Sequence, residues 1–182
     1  YTYIESAKER GYEVLLLDSP IIPHLMQKLE SKKEKIKFSR VDSDTLENLI
    51  KKDEEVISKL TDEEKEKLKP MIETAVENEK YTVQLEALDS NSMPFMLAQP
   101  EFMRRMKEMQ QTGGGAMGNL PDMYSLIVNT NHELVGKILN TRTEKKRNSL
   151  IKQSIDLAKL SQNNLTGKDL TEFINRSIDL IK

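Results

Sequence analysis

The chain has 182 residues, enough for one generous domain or two small ones, with 32% of them charged and a formal net charge of −2. That balance leaves no global basic field to hold nucleic acid or an anionic membrane, and no apolar run approaches the roughly 20 residues that span a bilayer. The absence of cysteine excludes disulfides, thiolate metal sites and cysteine nucleophiles, and is compatible with a reducing compartment.

The opening stretch YTYIESAKERGYEVLLLD carries neither an initiator methionine nor a signal sequence, so the chain is expected to be a piece of a longer protein. EVLLLD (Glu13–Asp18) is a short, continuously apolar run after Gly11 and reads as a buried strand. Pro20 and Pro23 permit a helix start, with Leu25, Met26 and Leu29 on its apolar face. IKFSRV (Ile36–Val41) alternates and reads as a second strand, which makes residues 1–41 a short α/β remnant. From Asp42 to Asn78 the composition turns to charge-dense helix, and a domain boundary is expected there. Asp44 with Glu47, and Thr61 with Glu64, have capping-box spacing and mark two helix starts.

YTVQLEAL (Tyr81–Leu88) alternates as a half-buried strand does, and MPFML (Met93–Leu97) is placed as its hairpin partner across DSNS. A methionine-rich helix follows, then a glycine-rich loop from Gly113 to Pro121, then a third strand, YSLIVN (Tyr124–Asn129). Asn131 is placed to cap a short helix running through Ile138. The segment Thr143–Gln162 spreads Leu150, Ile151, Ile155, Leu157, Ala158 and Leu160 over well over half the helical wheel. One contact face does not need so much apolar surface; two do. The last helix is expected to start at Asp169, after a break at Gly167. It aligns Leu170, Phe173, Ile174, Ile178 and Ile181 in one stripe. A helical dimer interface and simple intrachain packing both fit this pattern. The fold class is therefore α+β, with residues 42–182 forming a domain around a sheet of about three strands.

No catalytic constellation emerges. His24 and His132 are the only histidines and neither has a metal ligand at the right spacing. His132, in NTNHELV, suits a hydrogen bond that orients a local turn. TGGGAMG lacks the lysine and the preceding strand of a phosphate loop. Lys32, Lys33, Lys35 and Lys37 are interrupted by Glu34 and lack interleaved aromatics, so they read as a solvated surface.

The most informative stretch is PEFMRRMKEMQQTGGG, residues 100–115. Phe102, Met103, Met106 and Met109 share one helical stripe, and seven of the nine methionines lie between Met93 and Met123. Methionine adapts to differently shaped apolar partners at little strain. Burying the four side chains is worth roughly 6–12 kcal/mol, comparable with the whole margin of about 5–15 kcal/mol for a domain. An exposed stripe therefore needs a functional reason. Packed core and binding surface both remain open on this pattern, with Arg104, Arg105, Lys107 and Glu108 taken as the solvated opposite face. A methionine-rich groove for RNA is a third reading, opposed by the net charge.

Five blocks in order, GYEVLLLDSPI, SRVDSDTLENLI, PEFMRRMKEM, NTNHELV and LAKLSQNNLTGKDLTEFINRS, resemble the C-terminal third of the bacterial HtpG chaperones, members of the ninety-kilodalton heat-shock family. The resemblance covers essentially the entire chain. It implies that residues 1–41 close a middle domain and that 42–182 form a dimerisation domain. ATP and magnesium would then belong to a domain outside this chain, leaving this region no enzyme and without a cofactor of its own. It also implies a homodimer built as a four-helix bundle, with Leu150, Ile151, Ile155, Leu157 and Ala158 meeting Leu170, Phe173, Ile174, Ile178 and Ile181. Further implications are a cytoplasmic location, and non-native client proteins as partners rather than nucleic acid or membrane. Client contact falls to Phe102, Met103, Met106 and Met109, with a second patch at His24 and Gln27. The acidic tail by which eukaryotic relatives recruit co-chaperones is missing from SIDLIK.

Overall fold

The computed structural model describes residues 2–49, 56–76, 80–106 and 123–181. It is α+β, and its chain divides into two compact units: Tyr1–Lys52 with Ala98–Met123, and Asp53–Leu97 with Tyr124–Lys182.

The first unit contains α1 (Thr2–Glu9), α2 (Ile22–Lys32), α3 (Leu46–Leu49) and helical residues 101–106. Helix α2 starts at the expected prolines, where the fixed φ of Pro23 suits the first turn and its missing N–H costs nothing. Helix α3 is capped one residue later than the spacing predicts. Thr45 Oγ1 accepts from Asn48 N (3.3 Å), while Asp44 Oδ1 accepts from Thr45 N and Asn48 Nδ2.

The two strands expected before residue 42 do not form. Residues 13–18 and 36–41 lie outside any strand ladder, and among the described residues no backbone hydrogen bond reaches Val14–Leu17. Apolar β-branched or aliphatic sequence makes a strand only where another edge is present to pair its N–H and C=O groups. Instead both segments line an open cleft of about 850 Å³, and Leu15 and Leu16 stand 71% and 81% exposed. The expected α/β remnant is thus helix and irregular chain.

The second unit holds a three-stranded mixed sheet made of β1 (Tyr81–Glu86), β2 (Phe95–Ala98) and β3 (Tyr124–Asn129). Its order is β1-β3-β2, with β1 and β3 parallel and in register from Tyr81↔Tyr124 to Glu86↔Asn129. The expected β1–β2 hairpin is therefore wrong. β3 takes the centre between its two neighbours, with residues 126–129 all buried. β1 keeps exposed Thr82 and Gln84 and sits at an edge.

Around the sheet pack α4 (Asp62–Glu73), α5 (Glu133–Asn140) and α6 (Glu144–Ser161), with α7 (Gly167–Ile181) packed on α6. The capping box on α4 forms as its spacing predicts: Thr61 Oγ1 accepts from Glu64 N (3.3 Å) and Glu64 Oε2 accepts from Thr61 N (2.9 Å). Leu68 and Ile72 of α4, Val83, Phe95, Leu97, Leu126 and Val128 of the sheet, and Val135 and Ile138 of α5 form one core with Ile151, Ile155 and Ala158 of α6. Helix α6 ends close to the expected Gln162, in a Schellman motif. Asn163 takes the left-handed conformation (φ 55°), its N–H reaches Leu160 O, and Asn164 N reaches Lys159 O (2.8 Å). Gly167 (φ 58°) instead opens α7, two residues before the expected start. Among the described residues no helix is long and apolar enough to cross a membrane.

Candidate functional site

In the second unit, NTNH forms the joint between β3 and α5. Asn129 is fully buried, its Oδ1 accepting from Leu88 N (3.2 Å) and Asn131 N (3.0 Å) and its Nδ2 donating to Asp89 O (2.8 Å). Asn131 Nδ2 donates to Ile57 O and Leu88 O (both 3.0 Å), while its Oδ1 accepts from Lys59 N (2.6 Å). Asn131 therefore does not cap α5. That task falls to His132, whose Nδ1 accepts from Leu134 N at 3.0 Å, in line with its expected turn-orienting bond. His132→Ala should cost about 1 kcal/mol, lowering the midpoint of thermal unfolding by about 2–4 °C, as scanning calorimetry would record.

Among the described residues, apolar side chains stay in water at several places, Leu15–Leu17 included, and two of these surfaces carry residues expected at a site. The first lies on α6 and α7. Of the residues expected at a dimer interface, Ile151, Ile155 and Ala158 lie in the chain's own core and Phe173 is buried. Leu157, Leu160, Ile174, Ile178 and Ile181 remain exposed, Ile181 at 85%, while Leu150 and Leu170 are half-buried. The wide apolar arc of α6 is thus two faces, one inward and one outward. Polar bonds fix α7 on α6: Gln153 Nε2 donates to Ser177 Oγ (2.8 Å), and Arg176 pairs with the buried carboxylate of Asp156.

The second face is in the first unit, on residues 101–106. Phe102 is 69% exposed, and Met103 and Met106 are half-buried. Met109 lies outside the described residues. His24 and Gln27 are both exposed on α2, from which no side chain is fully buried.

Between α2 and this face sits a charge cluster that periodicity alone does not reveal. Arg105, expected on a solvated face, has a side chain only 18% exposed. Its Nη1 donates to Glu30 Oε2 (2.7 Å), its Nη2 to Glu30 Oε1 (3.2 Å) and Phe38 O (2.6 Å), and its Nε to Glu101 Oε1 (2.8 Å). Glu30 Oε1 also accepts from Phe38 N at 2.7 Å, and Arg104 pairs with Glu101. The hydrogen bond from Arg105, then that from Phe38 N, hold Glu30 below the ordinary carboxylate value. Burial pushes Glu101 upward, but the bonds from Arg104 and Arg105 outweigh it and lower its pKa. Arg105 is raised further by Glu30, against its own desolvation. Among the described residues no group of three potential metal-ligating side chains occurs.

No family model matches the chain. A curated relative named Chaperone protein HtpG, from Porphyromonas gingivalis, is 39% identical over 165 residues covering 88% of this chain. Another of that name, from Bacteroides thetaiotaomicron, is 31% identical over an alignment that covers all of this chain. The chain belongs to the HtpG chaperones. A more distant HtpG, from Wolinella succinogenes, is 28% identical across 95% of the chain. The chain spans 24% of the Porphyromonas HtpG and 37% of the Bacteroides HtpG.

Proposed function

We propose that this HtpG region dimerises through the outward face of α6 and α7 and offers the 101–106 face to non-native client chains. On this reading residues 1–41 close a middle domain, 42–182 form the dimerisation domain, and the longer protein supplies ATP and magnesium binding in the cytoplasm. The observation that carries the client role is Phe102, a large aromatic left 69% exposed on the same helical segment as Met103 and Met106. Leaving a phenylalanine largely in water forgoes part of the about 1.5–3 kcal/mol that full burial brings.

Partly folded clients expose apolar surface, and an adaptable methionine-flanked aromatic accepts many shapes weakly. Two such faces in a dimer raise the local concentration of binding sites without any new contact. His24 and Gln27 would add a polar margin on α2.

Phe102→Asp tests the reading. Suppression of aggregation of a chemically unfolded client should fall severalfold, while the protein's own stability stays within about 0.5 kcal/mol, as for an exposed position. Undiminished suppression would favour a structural dimerisation role, with the methionines as packing.

A further inference from the structure

The 101–106 face is anchored at its end by Arg105, and the anchor reaches the other exposed surface of the same unit. We propose that Arg105 and Glu30 form a latch that positions the Phe102–Met106 face beside α2, so that the two candidate client surfaces act as one. The proposal rests on the client-contact reading above, and its test separates the two.

Three separate chain segments meet at one guanidinium: α2 through Glu30, the irregular residues 36–41 through the Phe38 carbonyl, and residues 101–106 through Glu101. The planar fork of arginine donates in all three directions at once, which a lysine ammonium at the end of a flexible stem does not reproduce. Exposed ion pairs contribute little because water competes for both partners. Here the Arg105 and Glu30 side chains are 18% and 23% exposed, and the carboxylate is also held by Phe38 N. The pair is therefore closer to a built joint than to a surface contact.

The position of the joint matters for function. Gln27 and His24 precede Glu30 by three and six residues, about 4.5 and 9 Å along the α2 axis. Phe102 precedes Arg105 by less than one turn. Loss of the joint would leave both surfaces intact but free to separate.

The groups facing the joint are Glu30 from α2, Lys37 beside Phe38, and Glu101 and Arg104 from the same segment as Arg105. Both carboxylates have lowered values, so their contribution is complete above the ordinary value of 4.5 and lost as pH falls through the lowered ones. The latch is closed at neutral pH and opens in acid.

Hydrogen exchange of amides 102–106, measured in the 182-residue chain at neutral pH without client, tests the latch. Arg105→Ala and Glu30→Ala should each speed exchange about tenfold or more, and the double variant no further than the faster single. Both single variants should also bind an unfolded client several times more weakly than wild type. Exchange within about twofold of wild type in either single variant, or losses that multiply in the double, would overturn the latch. Faster exchange with unchanged client affinity would overturn its positioning role. The client surface itself fails separately, if Phe102→Asp leaves client binding intact.

Discussion

Ile174→Asp should sediment as a monomer at concentrations where the wild-type chain sediments as a dimer. Ile174 is 48% exposed on α7 and belongs to the outward apolar set with Leu157, Leu160, Ile178 and Ile181. A two-fold interface uses the same patch from both protomers, so one substitution removes two apolar contacts and places two carboxylates in the seam. Losing about 1–1.5 kcal/mol per copy of buried area weakens association about 10²-fold, and desolvating the new charges adds to that. The fold of each protomer should survive, because Ile174 is absent from the core cluster. Ile151→Asp provides the contrast. Ile151 is fully buried in the protomer, so that change should unfold the second unit instead of merely splitting a dimer. A wild-type chain that stays monomeric at high micromolar concentration would remove the dimer proposal.

Asn131→Ala should lower stability by about 3 kcal/mol or more, because three backbone partners lose their bonds at once. The carbonyls of Ile57 and Leu88 and the N–H of Lys59 all face Asn131, whose side chain ties three parts of the second unit together. Asn131→Asp should be no better. It keeps an acceptor for Lys59 N, but it loses the two donated bonds and buries a charge at a position only 6% exposed. Urea unfolding monitored by circular dichroism measures both changes. A loss under 1 kcal/mol for either variant would contradict this account of the joint.

Local signals were legible in the sequence where they are self-contained. The Thr61–Glu64 capping box, strand β3 and helix α6 all form where spacing and periodicity place them, since each is written in contiguous residues. The wide apolar arc of α6 also foretold two faces, although periodicity does not say which residues belong to which. Ile151 and Ile155 turn inward while Leu157 and Leu160 turn outward, a division set by the sheet and α5 packing on one side.

What failed depended on partners distant in sequence. EVLLLD has the composition of a buried strand but no edge to pair with among the described residues. MPFML follows β1 directly in sequence, as a hairpin partner does, whereas β3 occupies the place between them. Arg105 looked like one more solvated charge, because its partner Glu30 lies 75 positions away. Asn131 looked like a helix cap because asparagine next to a helix start usually is one, yet Lys59 lies 72 positions before it. In each case the residue type was compatible with the observed role, and only the tertiary partner chose between roles.

Client contact at Phe102 is tested most directly by placing a photoreactive phenylalanine analogue at that position and irradiating the chain with one client, either chemically unfolded or native. A covalent adduct is expected with the unfolded client, little with the native one, and competition by excess unmodified unfolded chain. No adduct with the unfolded client, or equal adducts with both forms, would contradict client contact at Phe102.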